Sequence, residues 1–286
     1  NNVARGLTPL ENPKVHAAVC LDCHFGSATQ GQFVNHRIMA AGHPRISFEL
    51  DLFSSLQQHH DEDADYAARK GRTDHVQLWA VGQALALKRS LDLYASASRG
   101  TEGAFPEFYF FDCHSCHRRI YDQKDALRTG VNNPGRPIPE GMPPYNDENM
   151  IMLSAAARVT APASAGQFDK ASREFHAALA LDRTTAVAAA RRLSIAADNL
   201  ANNFASGSFG SSQAFAIIDI IATDAIAARL TDYEGSVQAV MAVDTLLNAL
   251  VRSGNLTQGA AAGIRANVNR AYDAVRDPNA YRPSDF

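Results

Sequence analysis

The chain has 286 residues, 46% of them hydrophobic and 20% charged, which describes a soluble globular protein of one large domain or two ordinary ones. Its formal net charge of −3 argues against nucleic acid or an anionic membrane surface as partner. No stretch approaches the apolar length that spans a bilayer, because the most apolar segment, 214–228, is interrupted by Asp219 and Asp224.

In chain order, Asn12-Pro13 predicts a helix N-cap followed by proline at the first helical position. The helix it opens carries Cys20-Leu-Asp-Cys23-His24. A loop through Gly26 and Gly31 leads to Asn35-His36-Arg37 and then to Ala41-Gly42-His43-Pro44-Arg45. Pro44 is placed to begin a long helix with Ile46, Leu50, Phe53 and Leu56 on one face. That helix is expected to meet His59-His60 and the acidic cluster of Asp61, Glu62, Asp63 and Asp65, and to end at Gly71. Thr73 is expected to cap the next helix, which runs through Val76, Trp79, Leu85 and Leu87 towards Gly100. An aromatic run from Phe105 to Phe111 comes directly before Cys113-His-Ser-Cys116-His117, and suits either a flat apolar wall or an ordinary core segment.

From 122 to 149, five prolines and three glycines exclude regular helix and predict an extended connector. It divides the chain into domains at 1–145 and 146–286. The second part is alanine-rich and lacks cysteine. Helical spacing recurs in Leu193, Ala197, Leu200 and Phe204, in Val240, Val243, Leu247 and Val251, and in Ile264, Val268, Ala271 and Val275. Breaks are expected at Gly207 with Gly210, at Gly235 and at Gly254. The predicted architecture is a bundle of four or five antiparallel helices, and the fold class is all-α.

All four cysteines fall in the two Cys-x-x-Cys-His motifs. This is the pattern for covalent attachment of c-type haem. Two thiols on one helical turn each add to a vinyl group at one porphyrin edge, and the following imidazole reaches the iron. Cys20, Cys23, Cys113 and Cys116 would thus carry two haems, with His24 and His117 as proximal ligands. One four-thiolate zinc site, or a pair of redox dithiols, is the competing assignment. Neither needs a histidine after the second cysteine.

The sixth ligand separates a carrier from a catalyst, because two histidines close the iron to substrate. The candidates for distal ligation are His43, at a Gly-His-Pro junction, then His36, then His60 and His59 at a helix end. His16 lies one turn ahead of Cys20, where it would face a neighbouring haem, and His114 sits inside the second motif. His75 and His176 carry no such context. Arg37 and Arg45, like Arg118 and Arg119, are near the motifs and suited to propionate contacts. Two reduced haems with ionised propionates add about −4 to the charge, giving an acidic surface suited to a basic partner.

The first half resembles a bacterial family of multihaem c-type cytochromes, the group around the tetrahaem electron carrier that serves hydroxylamine oxidoreductase. The resemblance covers about residues 8–145. It is carried by Val19-Cys20-Leu-Asp-Cys23-His24-Phe-Gly26, by Asn35-His36-Arg37 through Gly42-His43-Pro44-Arg45-Ile-Ser-Phe48-Glu49-Leu50-Asp51, by Trp79-Ala-Val-Gly82-Gln83, and by Phe111-Asp112-Cys113-His-Ser-Cys116-His117. It implies a periplasmic or otherwise extracytoplasmic protein with closely packed, mostly bis-histidine haems. By the same analogy, His43 and His36 are the first places for distal ligation. Members usually carry further motifs upstream, and this chain has none. It is therefore either a reduced version or part of a longer cytochrome, in which case some histidines serve haems held elsewhere. Because such haem is attached outside the bacterial cytoplasm, a leader is expected to have been removed, or the chain to be a piece of something longer.

The expected function is single-electron transfer between a redox donor and an acceptor. Two alternatives stand beside it. One is a haem enzyme with a five-coordinate iron acting on a small nitrogen or sulfur compound. The other makes the C-terminal bundle a docking module for a larger cytochrome complex or for further copies of the chain, through the apolar helix at 215–228.

Overall fold

The computed structural model describes residues 3–58, 61–102, 106–117, 136–138, 142–226, 230, 232–282 and 285–286. Among these there are eleven α-helices and no β-strand, only one isolated bridge between Phe111 and Tyr145. The all-α reading holds. The helices are α1 (Pro13–His24), α2 (His36–Ala40), α3 (Leu50–Leu56), α4 (Ala64–Lys70), α5 (His75–Ala95), α6 (Glu148–Thr160), α7 (Pro162–Leu179), α8 (Arg183–Ser206), α9 (Ser211–Ile226), α10 (Tyr233–Arg252) and α11 (Gln258–Ala274). Six of them follow the expected connector, rather than four or five.

The centre of the molecule is α5. Leu78, Trp79, Ala80 and Val81 are consecutive and all buried, so every side of this helix is covered, as expected of a helix apolar all round. It packs against α1, α3, α6, α8 and α10, most extensively against α8. Gly82 permits the approach of α3, since a Cβ there would lie 3.0 Å from Leu50 Cβ. One hydrophobic cluster runs from Ala17 to Leu250. The helices before and after the connector therefore share a core.

Local signals explain several helix ends. The Asn12 carboxamide accepts from the backbone N–H of Lys14 and Val15, ahead of Pro13. Gly71, at φ +84°, ends α4. The cap of α5 is Asp74, not Thr73, since its carboxylate accepts from Gln77 N. Gly235 is no break: it lies in the first turn of α10, where its N–H donates to the capping Asp232. The apolar helix α9 buries Ala214, Ile217 and Ile221 against α6 and α10, leaving Phe215 43% exposed.

The long helix expected from Pro44 does not form. Residues 44–49 form a strap without regular secondary structure and α3 starts at Leu50, capped by the Glu49 carboxylate. Ile46 and Leu56, read as core positions, are 65% and 72% exposed. The strap instead alternates like a strand, sending Arg45, Ser47 and Glu49 to partners on α6 and α10.

Trp79 is the chain's single tryptophan and reports on α5. Leu200→Ala on α8 is expected to cost about 2–5 kcal/mol and to lower the urea midpoint of one transition read by Trp79 fluorescence. A shared core requires that coupling, and independent halves would leave the Trp79 transition in place.

Candidate functional site

The first motif ends α1. Ala17 and Leu21 face inward and are buried, which leaves His16, Cys20, Cys23 and His24 together on the outer side, lining one cavity of about 300 Å³ with Phe48 and Phe53. A second cavity of about 400 Å³ is lined by Cys23, His24, Phe48, Arg45 and Tyr109 among others. Both volumes are of the size that cofactor pockets occupy, roughly 300–1,000 Å³. His24 and Phe48, stacked face to face with centroids 4.7 Å apart and planes 7° apart, line both. The turn after the motif needs Gly26, at φ +107°, where a Cβ would come within 2.9 Å of Gln32 O. Arg89 of α5 pins this end by pairing with Asp22, inside the motif, and donating to Gly26 O at 3.1 Å.

The second motif sits on a single 3-10 turn at Cys113–Ser115. Its approach is built by Glu107, wholly buried, whose Oε1 accepts from His36 N at 2.8 Å and Tyr109 N at 3.1 Å. Asp112 N donates to Pro144 O, and Asn146 N to Phe110 O, so the segment before α6 clamps the motif from the other side. Burial pushes the Asp112 carboxyl up, but the His114 ring 3.7 Å away and a hydrogen bond from Ser115 outweigh it and hold the group below its ordinary value. His114 lies against the Tyr233 ring at 4.2 Å.

All four thiols are free. Burial raises Cys20, with the neighbouring Cys23 adding to it; burial also raises Cys113, against the pull of Arg45. Among the described residues, no three His, Cys, Asp or Glu side chains gather where a bare metal ion would be held. The two Cys-x-x-Cys pairs therefore do not make one four-thiolate site.

The candidate histidines separate clearly. His36 opens α2, and its ring centre lies 6.2 Å from that of His117, with Phe108 edge-on at 5.3 Å. His43 is exposed beyond Gly42. His59 and His60 lie outside the described residues, as do Arg118, Arg119 and Phe105. Arg37 is exposed. Arg45 is 11% exposed and pairs with Glu148 at 2.9 Å and Glu234 at 3.5 Å. The aromatic run divides: Tyr109, Phe110 and Phe111 are core, while Phe108 is 42% exposed beside His36. Tyr109 spans the two motifs. It packs on Phe33 at 4.7 Å, its hydroxyl donates to Phe25 O at 3.1 Å, and burial pushes its pKa up to about 12.

Sequence reasoning passed over the polar residues of the second half. Gln238 donates to Phe48 O at 3.3 Å, Glu234 accepts from Ser47 at 2.7 Å, and Thr245 donates to Glu49 at 2.8 Å. Arg252 donates to Ser55 at 2.8 Å and meets His75, whose other nitrogen contacts Asp51 at 2.9 Å. The available signal was polar residues four, seven and seven positions apart, on one face of the helix. His176, also passed over, is buried against Asp147 at 3.2 Å, and Arg136 from the connector pairs with both Asp147 and Asp232.

Two carboxylates share Arg45. Burial raises Glu148, Arg45 opposes this and Glu234 adds to it, leaving the carboxyl at about 7 against an ordinary 4.5. Glu49 is raised too, by burial and then by Asp51. A carboxyl raised on folding binds its proton more tightly in the folded state. Its contribution is full below its ordinary value and is lost as pH rises through the raised one. The urea midpoint of the wild type should therefore fall between about pH 5 and pH 8, and that of Glu148→Gln should fall less steeply over the same range.

No family model matches this chain, and comparison with curated proteins and with solved structures finds no match either.

Proposed function

We propose that the chain is an extracytoplasmic c-type cytochrome that passes single electrons, with one haem on Cys20 and Cys23 and a second on Cys113 and Cys116. The observation that carries this reading is the repeated Cys-x-x-Cys-His motif, with its thiols free and not gathered into one metal set. The donor chemistry fits: each site offers two thiols for thioether bonds and one imidazole for iron. When bound, such a group stores and releases one electron at its iron.

The residues have distinct tasks. Cys20 and Cys23 would hold one porphyrin edge by thioether bonds, and His24, at the end of α1, would offer its imidazole to the iron. His117 would do the same from the second turn. His36 and His117 are near enough that both imidazoles would be available to hold one metal. The separation of His36 and His117, 6.2 Å, supports His36 as the distal ligand at the second site. At the first site His43, His59 and His60 are the candidates. The buried rings of Phe33, Tyr109 and Phe110 and the half-buried ring of Phe25 pack against one another between the motifs. The formal charge of −3 and the family resemblance support a basic redox partner and a periplasmic setting.

The cavity of about 400 Å³ beside His24, with the buried Arg45, Glu148 and Glu234 in its wall, favours one second reading: a five-coordinate first iron that takes a small molecule. Cyanide decides between them. A carrier keeps its low-spin optical spectrum, whereas an open iron shifts from high spin.

Pyridine haemochrome assay of denatured protein is expected to give two haems per chain. Replacing Cys20 and Cys23 together by serine should leave one, and Cys113 and Cys116 likewise. Covalent haem surviving after all four replacements would refute the assignment. His36→Ala should bring a high-spin component at one haem only.

A further inference from the structure

The strap at 44–49 ties the first motif to the cysteine-free half of the chain. Phe48 lies flat on the His24 ring, with planes 7° apart, and its own ring packs on Phe53 at 5.0 Å. An imidazole bound to a metal keeps one soft freedom, rotation about the metal–nitrogen bond, and contacts outside the ligand set normally remove it. A face-to-face aromatic neighbour does so only if it is itself immobile. Phe48 is held at three consecutive positions: Ser47 by Glu234, the Phe48 carbonyl by Gln238, and Glu49 by Thr245. All three holders lie along one face of α10.

We infer that Phe48, anchored to α10 through Gln238, is a positioning residue that sets the plane of the His24 ring, so that the C-terminal bundle tunes the first site. As an account of haem, this rests on the reading of His24 as an iron ligand. The contact itself exists in the polypeptide alone. Phe48 touches the imidazole and not the reacting metal, so its effect is on ligand orientation.

Four full-length variants test it: Phe48→Leu, which keeps apolar bulk without a ring face; Phe48→Tyr, which restores the face; Gln238→Leu, which removes the anchor; and Leu181→Ala, at a position 72% exposed, as control. In the oxidised holoprotein, electron paramagnetic resonance should show a changed largest g value for one low-spin signal in Phe48→Leu. A smaller change of the same signal is expected in Gln238→Leu, and none in Phe48→Tyr or Leu181→Ala. The haem count should stay at two in every variant. An unchanged spectrum in Phe48→Leu with both haems attached overturns the inference while leaving the cytochrome reading intact.

If instead the wild type carries no covalent haem, the cytochrome reading fails and proton NMR of the His24 ring decides the contact. The ring protons are expected upfield in wild type and in Phe48→Tyr. They should move downfield in Phe48→Leu and in Gln238→Leu. Ring protons that do not move in Phe48→Leu overturn the inference.

Discussion

Four polar side chains on one face of α10, Glu234, Gln238, Thr245 and Arg252, grip the segment that runs from Arg45 to Ser55. Burying such groups without partners costs about 1–3 kcal/mol each, so the strap and α10 need one another. The strap also brings Phe48 to His24 and Arg45 to the wall of the neighbouring cavity. The aromatic contact on His24 is therefore anchored to a helix more than two hundred residues further along the chain.

The same dependence appears in the core. α5 lies next to the first motif and α8 belongs to the second half, yet these two make the most extensive helix contact among the described residues. Arg136, from the proline-rich stretch, is buried between Asp147 and Asp232. Removing one partner of a buried ion pair is far more costly than the pair itself is stabilising, so this stretch is tied into the fold where it reaches α6. A frame of this kind would suit the redox groups proposed above, whose ligands would have to keep one geometry in both oxidation states.

Much of this was legible in the residues, and the failures have physical causes. The two Cys-x-x-Cys-His motifs, the Asn12-Pro13 helix start, the stop at Gly71 and the helical periodicity of the second half are local signals, and local signals survive in a sequence. The strap was not legible. Pro44 is a good first helical residue and Ile46, Leu50 and Phe53 match helical spacing, but what decides the conformation is that Arg45, Ser47 and Glu49 find partners about one hundred to two hundred residues away. The nearness of His36 to His117 is equally non-local, with Glu107 accepting from the His36 backbone beside it. His75 and His176 looked featureless because their buried partners, Asp51 and Asp147, share no motif with them.

What joins these strands is the claim that thioether-bound porphyrin occupies both motifs. Intact-mass spectrometry of the mature protein, purified from an extracytoplasmic fraction and denatured before injection, addresses that claim most directly. The account requires the polypeptide mass increased by two haem groups that do not dissociate in denaturant. Bare polypeptide, or polypeptide with zinc recovered from the native sample, would contradict it.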